Sequence, residues 1–443
     1  MTQKQNLIRG GSWAVAGAVL LALLGLGVNA LLARLLQASE LGTYFLLVSL
    51  IGLTATLAQG GVLQVLLRKV ALSTNAKGKW NAGLNLKSAT LYVVIGFCGV
   101  SFLLILFFDH WFRLFSTLDV SSDLLLLPVL FWLLAVSFQG VVTETFRGLH
   151  DIRHAVLFGG IWVNLVLISI LIFLFNTDAE IILTEFLYVL AGVNTLVVIA
   201  GMLLLTSKMS SSVNEGIPGQ LKSLSHESMP LLYSGLLAIV IIQGDLWLVG
   251  LYLGSEEAAL YGAATRLAIL AGMSLNLVNA VLPPHIAKLH ASGKHAELVR
   301  LLQNAATFAG LPAIVMTIVA VIWGRDVLGY LYGSEFSAAE PILSFLALGY
   351  FFHVMLGSGG LVLMLTGRGK ILLKISIFTS LWLIFSGLIV APFGGWAIAA
   401  AAASALIIQK IAMWKWVKSE LGISTHASFN RDFWQVITLA FRR

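Results

Sequence analysis

Residues 241–275 read IIQGDLWLVGLYLGSEEAALYGAATRLAILAGMSL, two apolar runs joined by a short polar turn at residues 254–258. A helix needs roughly twenty apolar residues to cross about 30 Å of hydrocarbon, because it rises about 1.5 Å per residue. With its flanking residues, each run is long enough. The stretch therefore predicts two membrane-spanning helices joined by a tight turn.

The same pattern recurs along the whole chain of 443 residues, of which 59% are hydrophobic and 11% charged, with a mean hydropathy of +0.94. So little polar surface excludes a soluble globular protein. We predict an all-α integral membrane protein with about twelve spans. The spans cover residues 11–33, 42–66, 88–108, 124–146, 155–175, 181–205, 231–252, 259–282, 305–323, 342–366, 375–392 and 394–414.

The basic residues indicate the orientation of these spans. Of the 27 Lys and Arg residues, 23 fall on one side of the predicted membrane. Only Arg34, Arg113 and Arg325 fall in loops on the other side, and Arg266 lies within a span. By the positive-inside rule, the basic side and both termini are cytoplasmic. The net charge of +7 is explained by loops that face anionic headgroups, so nucleic acid is not an expected partner.

The best linker candidate is the segment at residues 206–230, with SSS at 210–212 and GIPG at 216–219. It predicts an N-terminal six-helix bundle at residues 1–205 and a C-terminal one at residues 231–414. A cytoplasmic tail at residues 415–443 follows. Apolar residues at helical spacing within residues 429–441 predict a short helix on the membrane surface, and a disordered tail is the alternative.

The two halves resemble each other when one is shifted by 217 residues. LQASELGTY at residues 36–44 then falls on LGSEEAALY at residues 253–261, with three identities in nine positions. FRG at residues 146–148 likewise resembles TGRG at residues 366–369, each after the fourth span of its half. Parallel repeats of this kind are typical of transporters, so we expect two pseudo-symmetric bundles.

Asp245 and Arg266 are the costliest residues of the predicted spans, since a charge at that depth requires water or a partner. Asp245 lies eleven residues before Glu256 and Arg266 ten after it, so both are expected at one depth, roughly 10 Å inside the outer interface. One interpretation is a static ion pair that fastens spans seven and eight. The other is a central cavity, where Arg266 binds an anionic substrate and Asp245 takes part in ion coupling.

Polar side chains are also dense in the spans that open each half. Amides both donate and accept hydrogen bonds, which suits a hydroxyl-rich ligand. Hydrogen bonds between helices are the alternative role. The cavity candidates of this kind are Asn29, Ser49, Gln59, Gln243 and Asn276.

Three basic residues near cytoplasmic span ends are candidates for receiving a phosphate: Arg68, Lys69 and Arg147. Positive-inside anchoring is the alternative for the first two, and a local salt bridge with Glu144 for Arg147. His353, within span ten, is a candidate for ion coupling because imidazole titrates near neutral pH. A buried neutral histidine is the alternative.

Several classes of chemistry have no sequence signal. With a single cysteine, Cys98, neither a disulfide framework nor a cysteine-based metal site is expected. The chain contains no nucleotide-binding P-loop, no His-Glu-x-x-His spacing and no nucleophile elbow. We therefore predict no cofactor, no metal and no enzymatic activity, and energy from an ion gradient, the membrane potential or the substrate gradient.

NALLARLLQASELGTY at residues 29–44 resembles the first outer turn of polysaccharide transporters in the multidrug/oligosaccharidyl-lipid/polysaccharide flippase superfamily. The stretch from Asp245 to Leu267 resembles the seventh and eighth spans of the same family. The resemblance implies a V-shaped pair of six-helix bundles that opens alternately to either side. It also implies a bacterial inner-membrane flippase for undecaprenyl-pyrophosphate-linked repeat units of O-antigen, capsule or exopolysaccharide, working with a polymerase and a chain-length regulator.

Other functions remain open at this level. The peptidoglycan-precursor branch is disfavoured, since it implies fourteen spans and a more cationic cavity than the first-half spans offer. A multidrug exporter of the same fold is the main rival, although an acidic and aromatic first-half cavity is expected there. A polysaccharide polymerase or glycosyltransferase is the less favoured rival, because the longest loop on the outer side covers only residues 324–341.

Overall fold

The computed structural model describes residues 3–72, 83–116, 122–177, 179, 181–208 and 217–428, and these residues form helices without a strand. A short π-helical turn precedes α7, and 3-10 turns precede α13 and α16. The helices are α1 (Gln3–Leu35), α2 (Ala38–Gln59), α3 (Val62–Leu72), α4 (Gly83–Phe115), α5 (Ser122–Gly148), α6 (Ile152–Val156), α7 (Trp162–Asn176), α8 (Leu183–Lys208), α9 (Ile217–Asn279), α10 (Leu282–Ala291), α11 (His295–Ile322), α12 (Gly324–Tyr332), α13 (Glu340–Met355), α14 (Gly359–Leu365), α15 (Gly369–Val390) and α16 (Gly395–Leu421).

Eleven helical segments of the described chain are long and apolar enough to cross a membrane. One of them, Leu224–Asn279, has 56 residues, which is long enough for two crossings. The helix α9 that contains it is broken at Gly254, where φ is 86° and ψ is −179°, so the two crossings lie on either side of this residue. Glycine suits this break, since a positive φ strains a residue that has a Cβ. The segments thus provide twelve crossings, and the predicted all-α membrane fold is confirmed.

The described residues form two compact units, each with its own apolar core. The first unit comprises Met1–Gln243 and Gly254–Ala259, and the second comprises Gly244–Leu253 and Leu260–Arg443. Phe146 and Leu205 lie in the core of the first unit, and Leu363 and Val417 in a core of the second. The domain boundaries at residues 205 and 231 stay a prediction. The surface helix proposed for residues 429–441 lies outside the described residues.

The second span of each half is broken at an equivalent position, in agreement with the internal repeat. In the first half, α2 ends at Gln59 and α3 begins at Val62. In the second half, α9 ends at Asn279 and α10 begins at Leu282, so both boundaries recur after 220 residues. Each predicted span, at residues 42–66 and 259–282, is therefore interrupted near its basic end. Such breaks are typical of transporter helices.

The repeat motif at residues 36–44 holds the outer end of the first unit together. One carboxylate oxygen of Glu40 accepts a hydrogen bond from the Gln37 N–H at 3.2 Å, and the other accepts one from the Leu183 N–H at 3.0 Å. Glu40 thus caps α2 and fixes the start of α8. Gly42 lies against the backbone carbonyl of Ser255, where a Cβ would overlap the oxygen. The motif therefore has a structural role in the first unit.

A C-terminal segment at residues 422–428 folds back onto the second unit. The Thr425 hydroxyl donates to the Leu356 carbonyl at 2.8 Å, and the Ala427 N–H donates to the Met355 carbonyl at 2.8 Å. These two carbonyls lie at the end of α13, where the span is broken before α14. The segment therefore satisfies backbone groups that would otherwise be left without partners at a helix end.

His426 belongs to the same segment and accepts a hydrogen bond on Nδ1 from Trp414 Nε1 at 3.1 Å. Partial burial lowers the pKa of His426, and the nearby ammonium group of Lys418 lowers it further. Both effects favour the neutral imidazole, which is the form that accepts this bond.

We expect Thr425→Val to destabilise the second unit. Thr425 is fully buried, and valine keeps its shape while leaving the Leu356 carbonyl without this donor. An unsatisfied buried acceptor costs about 1–3 kcal/mol, so the thermal midpoint in detergent should fall. Thr177→Val is the matched control, because Thr177 is exposed and its hydroxyl bonds only to its own helix. Equal midpoints for the two variants would show that the Thr425 bond contributes nothing.

Candidate functional site

Asp245 lies inside the second unit, on the part of α9 that precedes the break at Gly254. Its side chain is 6% exposed. The carboxylate accepts a hydrogen bond from the Tyr261 hydroxyl at 2.7 Å and another from the Leu246 N–H at 2.9 Å. Tyr261 is fully buried and follows the break, so this bond joins the two spans of α9.

The bond explains how an acidic group is tolerated within an apolar span. A buried carboxylate is costly unless hydrogen bonds replace its hydration. A carboxylate offers about four acceptor positions, and the two bonds leave acceptor capacity for a further donor. Asp245 is thus held in one orientation and retains the ability to bind a proton, a cation or a hydroxyl group.

Arg266 follows Tyr261 by five residues on the same helix and is partly buried. Among the ion pairs of the described residues, none joins Arg266 to Asp245. Tyr350 on α13 lies within electrostatic range of both charged groups. The second unit therefore brings Asp245 and Arg266 to one region around Tyr350, and Tyr261 is the hydrogen-bond partner of the carboxylate.

His353 continues this group one turn further along α13. Its ring centroid lies 6.2 Å from that of Tyr350, and its Nδ1 is buried with no hydrogen-bond partner among the described residues. Lys410 on α16 lies within electrostatic range of His353. We call Asp245, Tyr261, Arg266, Tyr350, His353 and Lys410 the ionisable row. It places titratable side chains of three helices inside one bundle.

Three members of the row are absent from the sequence-based candidates. Tyr261 does carry a signal, because it falls on Tyr44 in the repeat, but Tyr44 packs against the Trp132 ring at 6.4 Å instead. Lys410 was counted with the basic residues of the cytoplasmic side, since it lies only four residues before the predicted end of the last span at residue 414. In the structure α16 continues to Leu421, so Lys410 lies within the helix. It follows Gly395 by fifteen residues, about 22 Å along the helix axis. Nothing in the sequence distinguishes Tyr350 from other aromatic residues in spans.

The polar candidates of the first half bind backbone carbonyls. Asn29 donates within its own helix at 2.7 Å, and Ser49 does so at 2.6 Å. Gln59 Nε2 donates to the Ser137 carbonyl of α5 at 3.5 Å. These contacts match the role in helix packing, and a role of the three residues in a cavity stays a prediction.

The remaining polar candidates are distributed over both units. Gln243 is half-buried at the end of the first unit, whereas Asn276 is exposed on α9 in the second. Their part in substrate binding also stays a prediction. Among the described residues, no group of three or more His, Cys, Asp or Glu side chains is placed to hold a metal ion.

The three basic candidates for phosphate binding each contact a carboxylate. Arg68 and Lys69 on α3 both pair with Glu227 on α9, and the Lys69 distance is 3.2 Å. Arg147 pairs with Glu144 at 2.7 Å on its own helix. The Arg68 side chain is nevertheless 64% exposed, so it is accessible to a headgroup. The Arg68 pair is open to solvent on the arginine side, and surface pairs contribute about 0–1 kcal/mol, so an incoming phosphate can compete with the carboxylate there.

Comparisons with known proteins agree with this architecture. A family model described as "Polysaccharide biosynthesis protein" matches residues 7–290. No curated protein sequence matches the chain. Solved structures with a similar fold include the lipid II flippase MurJ in an inward closed conformation, with a TM-score of 0.67 and 14% identity over 91% of this chain and 87% of that one.

Multidrug transporters have the same fold. An inward-facing multidrug resistance MATE family transporter of the MOP superfamily gives a TM-score of 0.70 with 16% identity, covering 93% of this chain and 98% of that one. The MATE multidrug transporter DinF-BH gives 0.68 with 13% identity, covering 95% and 96%. At these identities the similarity shows the fold, a multi-pass fold found in both a flippase and multidrug transporters.

Proposed function

Since the chain belongs to the family of polysaccharide biosynthesis proteins and has the fold of membrane transporters, we propose that it is a flippase for lipid-linked oligosaccharides. It carries undecaprenyl-pyrophosphate-linked repeat units of O-antigen, capsule or exopolysaccharide from the cytoplasmic to the outer leaflet of a bacterial inner membrane. It does so by alternating access and is not an enzyme. A polymerase and a chain-length regulator act on the delivered repeat units.

The observation that carries this proposal is the ionisable row inside the second unit. Ionisable side chains within spans are rare and costly, and they typically mark substrate and ion pathways. The substrate offers an anionic pyrophosphate and many hydroxyl groups. Arg266 provides a planar cationic fork for phosphate oxygens, while Asp245 and the tyrosine hydroxyls of the row suit sugar hydroxyls.

The driving force follows from the charge of the substrate. A negative group that leaves a negative interior gains roughly 2.3 kcal/mol per charge per 100 mV, so the potential alone biases translocation outward. Coupling to protons or sodium through Asp245 or His353 adds to this bias. Both residues belong to the ionisable row, which gives an incoming cation a place near the substrate.

Translocation by the purified chain in vesicles tests the proposal. We expect accumulation of lipid-linked oligosaccharide in the opposite leaflet, slowed when proton and sodium gradients are collapsed at constant potential. Vesicles without protein are the control. Unchanged accumulation after collapse would reject ion coupling, and no accumulation above the control would reject the flippase function.

A multidrug exporter is the second candidate, because the similar structures include multidrug transporters. It predicts efflux of cationic dyes, which the flippase does not, so a dye-efflux assay separates the two. A polymerase or glycosyltransferase receives less support. The longest outer connection holds the nine-residue helix α12 and a 3-10 turn at Ser334–Ala339, which leaves little room for a catalytic domain.

A further inference from the structure

The outer connection of the second unit buries a tyrosine, Tyr332, at the end of α12. This residue is 1% exposed, and its hydroxyl oxygen is buried with no hydrogen-bond partner among the described residues. A buried polar group without a partner is costly, whereas phenylalanine would fill the same space without that cost. Packing alone therefore does not explain the hydroxyl group.

The local fold fixes the direction of the Tyr332 side chain. Gly333 follows it with a φ of 120°, which strains any residue that has a Cβ, and the chain turns there from α12 into the 3-10 turn. The Tyr332 ring then packs against the Phe336 ring of that turn, with 5.8 Å between the centroids. Tyr330, two residues earlier, is 80% exposed. The hydroxyl of Tyr332 is thus held on the inner face of α12.

A charged group of the ionisable row lies near this hydroxyl. The Arg266 guanidinium is within electrostatic range of Tyr332 and also of Tyr350 on α13. His353, at the other end of the row, has a buried ring nitrogen that likewise lacks a partner within the described chain. Two of the four buried polar atoms of this kind in the described residues therefore lie in the row or beside it.

The chemistry of the two neighbouring groups calls for an acceptor. A guanidinium has five N–H donors and no acceptor, and a tyrosine hydroxyl has a proton to donate. One phosphate oxygen accepts from both groups, and its negative charge favours a position beside an arginine. A sugar hydroxyl also accepts a hydrogen bond, but it brings no charge to a buried cation. Arg266 and Tyr332 together therefore suit an oxyanion.

We propose that the Tyr332 hydroxyl donates a hydrogen bond to the phosphate that Arg266 binds, at the outer end of the ionisable row. The inference rests on the proposed function and adds a substrate-binding residue from the outer connection. The bond links α12 to the substrate, so release of the pyrophosphate toward the outer leaflet requires this bond to break.

Tyr332→Phe removes only the hydroxyl group and tests the proposal in the purified full-length chain. Binding of farnesyl pyrophosphate is measured in phosphatidylcholine nanodiscs, together with the thermal midpoint of the ligand-free protein. We expect binding to weaken about 10- to 150-fold, as the loss of a hydrogen bond to a charged group predicts. The ligand-free midpoint should be unchanged or higher, because the variant buries no unpaired hydroxyl.

Tyr252→Phe is the matched control, because Tyr252 lies two residues before the break of α9 at Gly254 and is 53% exposed. This variant should change neither the binding nor the midpoint. Farnesol has the same isoprenoid chain without the phosphate groups. It should bind equally to the wild type and to Tyr332→Phe.

Equal binding of farnesyl pyrophosphate by the wild type and Tyr332→Phe, or none by the wild type, would overturn the proposal. So would equal weakening by Tyr252→Phe. A lower ligand-free midpoint for Tyr332→Phe would assign the hydroxyl to the protein's own structure, and weaker farnesol binding would assign it to another part of the ligand; both results also overturn the proposal.

The vesicle assay separates failure of this contact from failure of the function. Normal translocation by the wild type, with equal binding by Tyr332→Phe, overturns the Tyr332 contact alone. No translocation by the wild type overturns the proposed function.

Discussion

Replacing Arg266 with alanine is expected to abolish export of the lipid-linked glycan while the protein still inserts in the membrane. Insertion should be normal because an arginine near the centre of a span costs about 2.5–3.5 kcal/mol, and alanine removes that cost. Export should fail because the variant loses the cationic group that we propose binds the substrate phosphate. That group lies within electrostatic range of Tyr350. A hydrogen bond to a charged group contributes about 1.5–3 kcal/mol, so each lost bond slows translocation about 10- to 150-fold.

Two further variants show whether the loss of export comes from the arginine side chain itself. Arg266→Lys keeps the charge but loses the planar five-donor fork, so we expect partial activity if the group binds phosphate. Lys374→Ala is the control, since Lys374 is exposed on α15 and should be dispensable. Membrane content by immunoblot and translocation in vesicles are measured for each variant. Normal translocation by Arg266→Ala would assign the residue to structure alone.

The spans were predictable because hydropathy over twenty residues is a strong signal in lipid. The breaks within them were not. Residues 42–66 read as one apolar span, yet the helix stops at Gln59 and restarts at Val62. A glycine pair in a span is equally compatible with close helix packing, and only the neighbouring α4 and α9 show which applies.

The candidate site was predictable where a charge carried the signal. The cost of burying Asp245 and Arg266 marked both residues, but the depth argument could not identify Tyr261 as the partner of the carboxylate. Tyrosine is common in spans, and its hydroxyl becomes informative only once the tertiary structure supplies an acceptor. Lys410 was missed for a different reason. It lies four residues before the predicted end of its span, where a lysine is expected at the cytoplasmic interface, whereas α16 continues eleven residues beyond it to Leu421.

Gly61→Ala is expected to destabilise the first unit strongly. Gly61 has a φ of 76°, which costs an L-residue about 1–2 kcal/mol. Its added Cβ would also overlap the Ser228 carbonyl oxygen and lie 2.7 Å from the Leu232 nitrogen. Both obstacles are backbone atoms of a helix, so no side-chain rotation relieves them, and overpacking adds about 1–3 kcal/mol.

Gly52→Ala is the matched control, because Gly52 lies in α2 and a Cβ there meets no atom within 4 Å. Alanine within a helix is favoured over glycine by about 0.5–1 kcal/mol, so this variant should be as stable as the wild type or more so. The thermal midpoint of the monodisperse fraction in detergent measures both. Since α9 must move away from α3 to admit the new methyl group, Gly61→Ala should also separate Glu227 from Arg68 and Lys69. Equal midpoints for the two variants would show that α9 does not pack against the helix break as closely as the geometry requires.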